Sequence, residues 1–137
     1  MEDSTFGNIT YRIDAWEAVI PFAFEPAGTT QLYLRIWASA TGPTDAQRGV
    51  FSELKRRYER LWGDLSQALL RCHGGLTSIE EVNSHLNPMV ALYIYEFDDP
   101  DEALLEFVYT FDLNGEGSKG YFVQLHRWKV IEAFLAG

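Results

Sequence analysis

The chain reads as an α+β protein. The expected architecture is an antiparallel sheet of about five to six strands with one long helix (about 44–73) and a short helix (about 78–86) packed on one face, in the order ββ-α-α-ββββ. Three observations predict this. Two-residue alternation of apolar and polar side chains marks both ends of the sequence, one long apolar series with steps of three and four stands between them, and turn residues separate the alternating segments. The length, 137 residues, suits a single domain over 1–137 and allows a real hydrophobic core without staples.

Ile9, Tyr11 and Ile13 alternate with Thr10, Arg12 and Asp14, which predicts a half-buried strand. Trp16 to Phe24 follows as a second apolar segment, interrupted by Pro21, and a proline there points to a sheet edge or a bulge. Glu25-Pro26-Ala27-Gly28 supplies a turn. In the next strand Leu32, Leu34, Ile36 and Ala38 share one face, and Tyr33, Arg35 and Trp37 share the other.

Thr44 can cap a helix, with Gln47 three residues on as in a capping box and Pro43 discouraging helix further back. Val50, Phe51, Leu54, Tyr58, Leu61, Trp62, Leu65, Ala68, Leu69 and Cys72 then form one apolar stripe, and Gly74-Gly75 supplies a stop. Gly49 and Gly63 lie inside this helix, each unfavourable by about 1 kcal/mol relative to Ala, and Gly63 marks a bend or a close packing contact. Thr77 or Ser78 caps a short second helix, with Glu80 and Glu81 near its positive end, and Pro88 redirects the chain.

Three or four strands follow. Val90, Leu92 and Ile94 alternate with Ala91, Tyr93 and Tyr95. Leu105, Phe107, Tyr109 and Phe111 alternate with Glu106, Val108 and Thr110. Tyr121, Val123 and Leu125 alternate with Phe122, Gln124 and His126, and Val130 to Phe134 closes the sheet. Asp98-Asp99-Pro100-Asp101 and Asn114-Gly115-Glu116-Gly117 stand where hairpin turns belong.

Charge narrows the function. With 20 acids against 11 Lys plus Arg the net charge is −9, which argues against unaided binding of nucleic acid and against an anionic membrane surface. No apolar run approaches the roughly 20 residues that span a bilayer, and the acidic start Met1-Glu2-Asp3-Ser4 is unlike a leader peptide. One cysteine, Cys72, permits no internal disulfide, so a reducing, cytoplasmic setting is expected.

Motifs for chemistry are weak. Asp112-Leu113-Asn114-Gly115-Glu116-Gly117 imitates the opening of a calcium loop, but Val123 stands where the closing Glu belongs, so a hairpin turn is the better reading and no metal or other cofactor is expected. Cys72 lies on the apolar stripe and its neighbour His73 points about 100° away on a helix, which predicts an inert thiol. No nucleophile elbow, phosphate loop or zinc-protease motif occurs, and a binding protein is favoured over an enzyme.

Acids and aromatics carry more. Between Cys72 and Ser118 there is no Lys or Arg, yet ten acids occur there, among them Asp98, Asp99, Asp101 and Glu102. Such a stretch keeps a protein soluble, and it also steers a basic partner. If the aliphatic faces of the strands meet the helix, Tyr33, Trp37, Tyr93 and Tyr95 point the other way. They then serve as interface anchors, unless a second layer such as the N-terminal segment covers them.

Trp16-Glu17-Ala18-Val19-Ile20-Pro21-Phe22, the strand Leu32 to Trp37, and Gly42-Pro43-Thr44-Asp45-Ala46-Gln47 opening a long helix resemble small bacterial families that are uncharacterised or that occur as immunity proteins beside polymorphic toxins. The likeness spans roughly residues 16–72, with a similar strand-rich ending in which His126-Arg127 and Lys129 replace the acids often found around the family's tryptophan, here Trp128. The resemblance implies an inhibitor that neutralises a cognate toxin, and the chain is expected to be a monomer or a homodimer. Asp98, Asp99, Asp101 and Glu102 would steer it onto a basic toxin domain, and Tyr33, Trp37, Tyr93 and Tyr95 would anchor it. A chaperone or adaptor for a secreted effector is the alternative, followed by a small-molecule enzyme.

Overall fold

A computed structural model describes residues 1–96, 102–109 and 119–135. Strands β1 (Glu2–Asp3) and β2 (Gly7–Asn8) form a small hairpin. Strands β3 (Thr10–Arg12), β4 (Ala15–Phe24) and β5 (Thr29–Trp37) lead into helix α1 (Asp45–Cys72) and helix α2 (Ile79–Ser84). Strands β6 (Met89–Ile94), β7 (Glu102–Tyr109), β8 (Lys119–His126) and β9 (Lys129–Leu135) complete the chain. Strands β3 to β9 make one seven-stranded sheet in sequence order.

The α+β class and the two helices agree with the sequence reading, but the sheet differs in two ways. It has seven strands rather than five to six, and it is mixed, because β5 and β6 pair in parallel while all its other pairs are antiparallel. The physical reason is the helical connection. A 28-residue helix runs back along the sheet for about 42 Å at ~1.5 Å per residue, so the chain re-enters the sheet at the end where β5 began.

Local chemistry explains the boundaries. Thr44 Oγ1 accepts from the Gln47 amide at 3.2 Å, and Gln47 Oε1 accepts from the Thr44 amide at 2.9 Å, which closes the predicted capping box. Gln47 Nε2 also donates to the Trp37 carbonyl at 2.8 Å, so the helix start is tied to the end of β5. Ser78 caps α2, and that helix is shorter than expected. The register of β4 shifts between Pro21 and Phe24, the bulge that Pro21 foretold. Gly63 is exposed and an added methyl there meets open space, so it marks no close packing contact.

The first strand is also corrected. Ile13 is 82% exposed and, with Asp14, takes positive φ in the turn between β3 and β4 rather than extending a half-buried strand. A two-residue hairpin requires that backbone, whatever the side-chain alternation suggests. Arg127 and Trp128 turn the β8–β9 hairpin in the same way.

The core lies between α1 and one face of the sheet. It includes Leu34, Ile36, Leu92, Ile94, Leu105 and Phe107 from the strands, and Phe51, Leu54, Leu65 and Leu69 from the helix. The β1–β2 hairpin packs on this same side: the Phe6 ring lies 5.1 Å from Phe51. Its turn is held by Asp3, whose carboxylate accepts from the Thr5 and Phe6 amides and from Arg48 Nη2 at 2.8 Å. Burial raises the Asp3 pKa, but these hydrogen bonds outweigh it and hold the carboxyl below its ordinary value. The N-terminal segment therefore covers the helix side and, among the described residues, the opposite face of the sheet is left open.

Candidate functional site

The open face is built by strand alternation and then ordered by register. One row across it runs Val19, Tyr33, Ala91, Glu106, Phe122, Phe134, and the next runs Glu17, Arg35, Tyr93, Leu104, Gln124, Glu132. Trp37 follows Arg35 on β5, and Tyr95 follows Tyr93 just beyond the end of β6.

The four anchors read from the sequence come together here. Trp37 and Tyr95 stack with ring centroids 4.5 Å apart and planes 10° from parallel. Tyr93 lies 5.9 Å from Trp37 and 6.5 Å from Tyr33, near edge-on to the latter. Tyr95 is 41% exposed, while Tyr33, Trp37 and Tyr93 are half-buried. Among the described residues no strand or helix is layered over them.

Polar groups lock this surface in place. Tyr93 donates its hydroxyl to Glu106 Oε1 at 2.6 Å. Burial, and then that carboxylate, push the Tyr93 pKa well up, so the phenol stays protonated. Burial and the neighbouring Glu17 raise Tyr33 in the same way. The Arg35 guanidinium lies 5.0 Å over the Trp37 ring, and its Nη1 is 3.7 Å from Glu17 Oε1.

Of the steering acids, Glu102 sits at the start of β7 with Oε1 2.8 Å from His126 Nδ1, so it faces an internal partner as well as solvent. Asp98, Asp99 and Asp101, together with the segment Asp112–Gly117 expected as a hairpin turn, lie outside the described residues. Sequence reasoning placed Arg35 on the face of Tyr33 and Trp37 without singling it out, and it missed Glu106, Phe122 and Phe134 as members of this surface. The Phe122 ring is 5.9 Å from Tyr93 and 5.5 Å from Phe134, which extends the aromatic band to the sheet edge. Alternation had placed Glu106 and Phe122 on their strands' second faces, but only the strand order made them neighbours of Tyr93.

The rest of the chemistry is modest. Cys72 is half-buried, and burial pushes its thiol up, away from the reactive thiolate. His73 is buried, with its ring 4.9 Å from Tyr109 and 5.2 Å from Tyr121, and Nδ1 accepts from the Gly75 amide. Among the described residues no group of three or more His, Cys, Asp or Glu is placed to hold a metal, and no helix is long and apolar enough to cross a membrane. Comparisons with protein-family models, with curated proteins and with solved structures find no match for this chain.

Proposed function

We propose that this chain is a non-enzymatic binding protein of the immunity type, which neutralises a cognate toxin by covering or plugging its active site. The observation that carries the reading is the assembly of Tyr33, Trp37, Tyr93 and Tyr95 on an open sheet face in a chain of net charge −9. Tyr and Trp are the residues that most often dominate binding energy, and rings already held by their neighbours lose little freedom when a partner docks. The negative charge selects a basic partner and speeds encounter. The toxin assignment rests on the resemblance over residues 16–72.

The test has two parts. A basic protein captured stoichiometrically from the native lysate is purified, and its toxicity or enzymatic activity is measured with and without this chain. Tyr33→Ala with Tyr95→Ser is expected to weaken the complex by about 2 kcal/mol or more, ~30-fold. Charge reversal at Asp98, Asp99, Asp101 and Glu102 is expected to slow association about tenfold at low salt and much less at high salt. A captured protein that keeps full activity in the complex defeats the inhibitor reading. Unchanged affinity in the aromatic double variant removes this face as the interface.

A further inference from the structure

At one end of the sheet, where the open face meets the β3–β4 hairpin, lies a cleft of about 470 Å³ lined by Tyr11, Asp14, Trp37, Ser39, Tyr95 and Glu96. Its walls come from three places: the β3–β4 hairpin, the end of β5 and the chain just after β6. They are held by contacts of their own. Tyr11 packs 5.0 Å from Trp16, whose Nε1 donates to the Ser39 carbonyl at 2.9 Å, and Trp37 and Tyr95 stack on each other. Three aromatic and two acidic residues therefore border one concave site, and among the described residues no Lys or Arg lines it.

We infer that this cleft is a receptor for a single arginine side chain of the partner. The inference rests on the binding reading above and deepens it by naming the group that is read. Aromatic rings attract a cation through their negative faces, and a carboxylate accepts the guanidinium's N–H groups. A planar guanidinium satisfies both demands at once, stacking on a ring while its edge meets an acid, whereas an ammonium is more strongly hydrated and lacks the flat fork. The same pairing already exists inside the chain, where Arg35 lies over the Trp37 ring and pairs with Glu17; with Tyr95 stacked on that indole as well, Tyr11 and Tyr95 are the rings left for an incoming guanidinium. The net charge of −9 supplies the matching long-range field.

The experiment needs no knowledge of the partner. L-arginine amide is titrated into the whole protein at constant ionic strength, with the Trp37 indole N–H followed by NMR and L-citrulline amide as the neutral isostere. Arginine amide is expected to shift the Trp37 signal saturably, and citrulline amide to shift it little. Asp14→Asn with Glu96→Gln is expected to weaken the arginine response roughly fivefold, the combined effect of two exposed ion pairs. Asn tolerates the positive φ at position 14, so this double variant keeps the hairpin. An unmoved Trp37 signal up to the solubility of the ligand, or an equal response to citrulline amide, overturns the inference. Loss of the partner in Tyr33→Ala with Tyr95→Ser alongside an unmoved Trp37 signal sinks the arginine receptor alone. A saturable arginine response, with partner affinity lowered in Asp14→Asn with Glu96→Gln but unchanged in Tyr33→Ala, supports the receptor and counts instead against the wider interface, whereas unchanged partner affinity in Tyr95→Ser overturns the receptor, because Tyr95 is one of its walls.

Discussion

The two faces of the sheet are made by the same strands, residue by residue, yet they have different chemistry. Toward α1 stand Leu32, Leu34, Ile36, Val90, Leu92, Ile94, Leu105 and Phe107, none more than 1% exposed. Toward the open side stand Tyr33, Arg35, Trp37, Tyr93, Glu106 and Phe122, half-buried in one another. The inner face is mainly aliphatic and is closed by a helix. The outer face mixes rings with charges, and each named charge has a partner within the face: Arg35 with Glu17, and Glu106 with Tyr93. A sheet face that only meets water is well served by Thr, Lys and Glu. Large rings held by half-buried polar contacts are the chemistry of docking surfaces.

Truncating the inner face has the largest expected effect on this contrast. Phe107→Ala removes a ring 1% exposed and packed 5.9 Å from Trp62, and should destabilise by about 3–5 kcal/mol in a denaturant titration. A loss under ~1 kcal/mol would mean that the helix side is loosely packed.

Acid tests which side the N-terminal hairpin covers. The Asp3 carboxyl is held below its ordinary value when folded, so its contribution is fully present above the unfolded pKa of ~3.9 and fades as pH falls through the lower, folded one. The protection of the Phe6 and Ile9 amides, relative to their intrinsic exchange rates, should therefore fall below about pH 4. Asp3→Asn should show fast exchange already at neutral pH, equivalent to about 2 kcal/mol of local stability. Protection that is flat across this range would detach Asp3 from the hairpin's docking.

Smaller effects sharpen the picture of the outer face. Tyr93→Phe leaves Glu106 without its phenol donor and should destabilise by about 1–2 kcal/mol, read as a lower denaturation midpoint. The helix's exposed side supplies a control of opposite sign. Gly63→Ala should raise stability by about 0.5–1 kcal/mol, because an added methyl meets open space there. Tyr95→Ser should change folding stability by less than ~0.5 kcal/mol while weakening the partner complex. A large stability loss at position 95 would erase the distinction between the two faces.

Much of this architecture was legible in residue patterns. The 3–4 spacing from Val50 to Leu69 and the Thr44/Gln47 pair located α1 almost to the residue, because capping and amphipathic packing are local rules. Alternation assigned Leu34 inward and Tyr33 outward correctly, because a strand's geometry leaves no other choice. Ile13 misled, since its side chain fits a strand while the hairpin needed its backbone in a turn. The parallel β5–β6 pair was not legible either: strand direction depends on where a long helix returns the chain, and no residue of either strand encodes that by itself.

The candidate surface divides in the same way. The sequence by itself determined that Tyr33, Trp37, Tyr93 and Tyr95 would point away from the helix, and that the chain would be strongly acidic, because facing follows from alternation and charge from composition. Tertiary structure alone decided that these rings meet. The β5–β6 register sets Arg35 beside Tyr93, the β6–β7 register brings Glu106 within reach of the Tyr93 hydroxyl, and the turn at Asp14 adds an acid to the Trp37–Tyr95 cleft. Pairing between distant segments is a property of the whole folded chain, so no local rule reveals it.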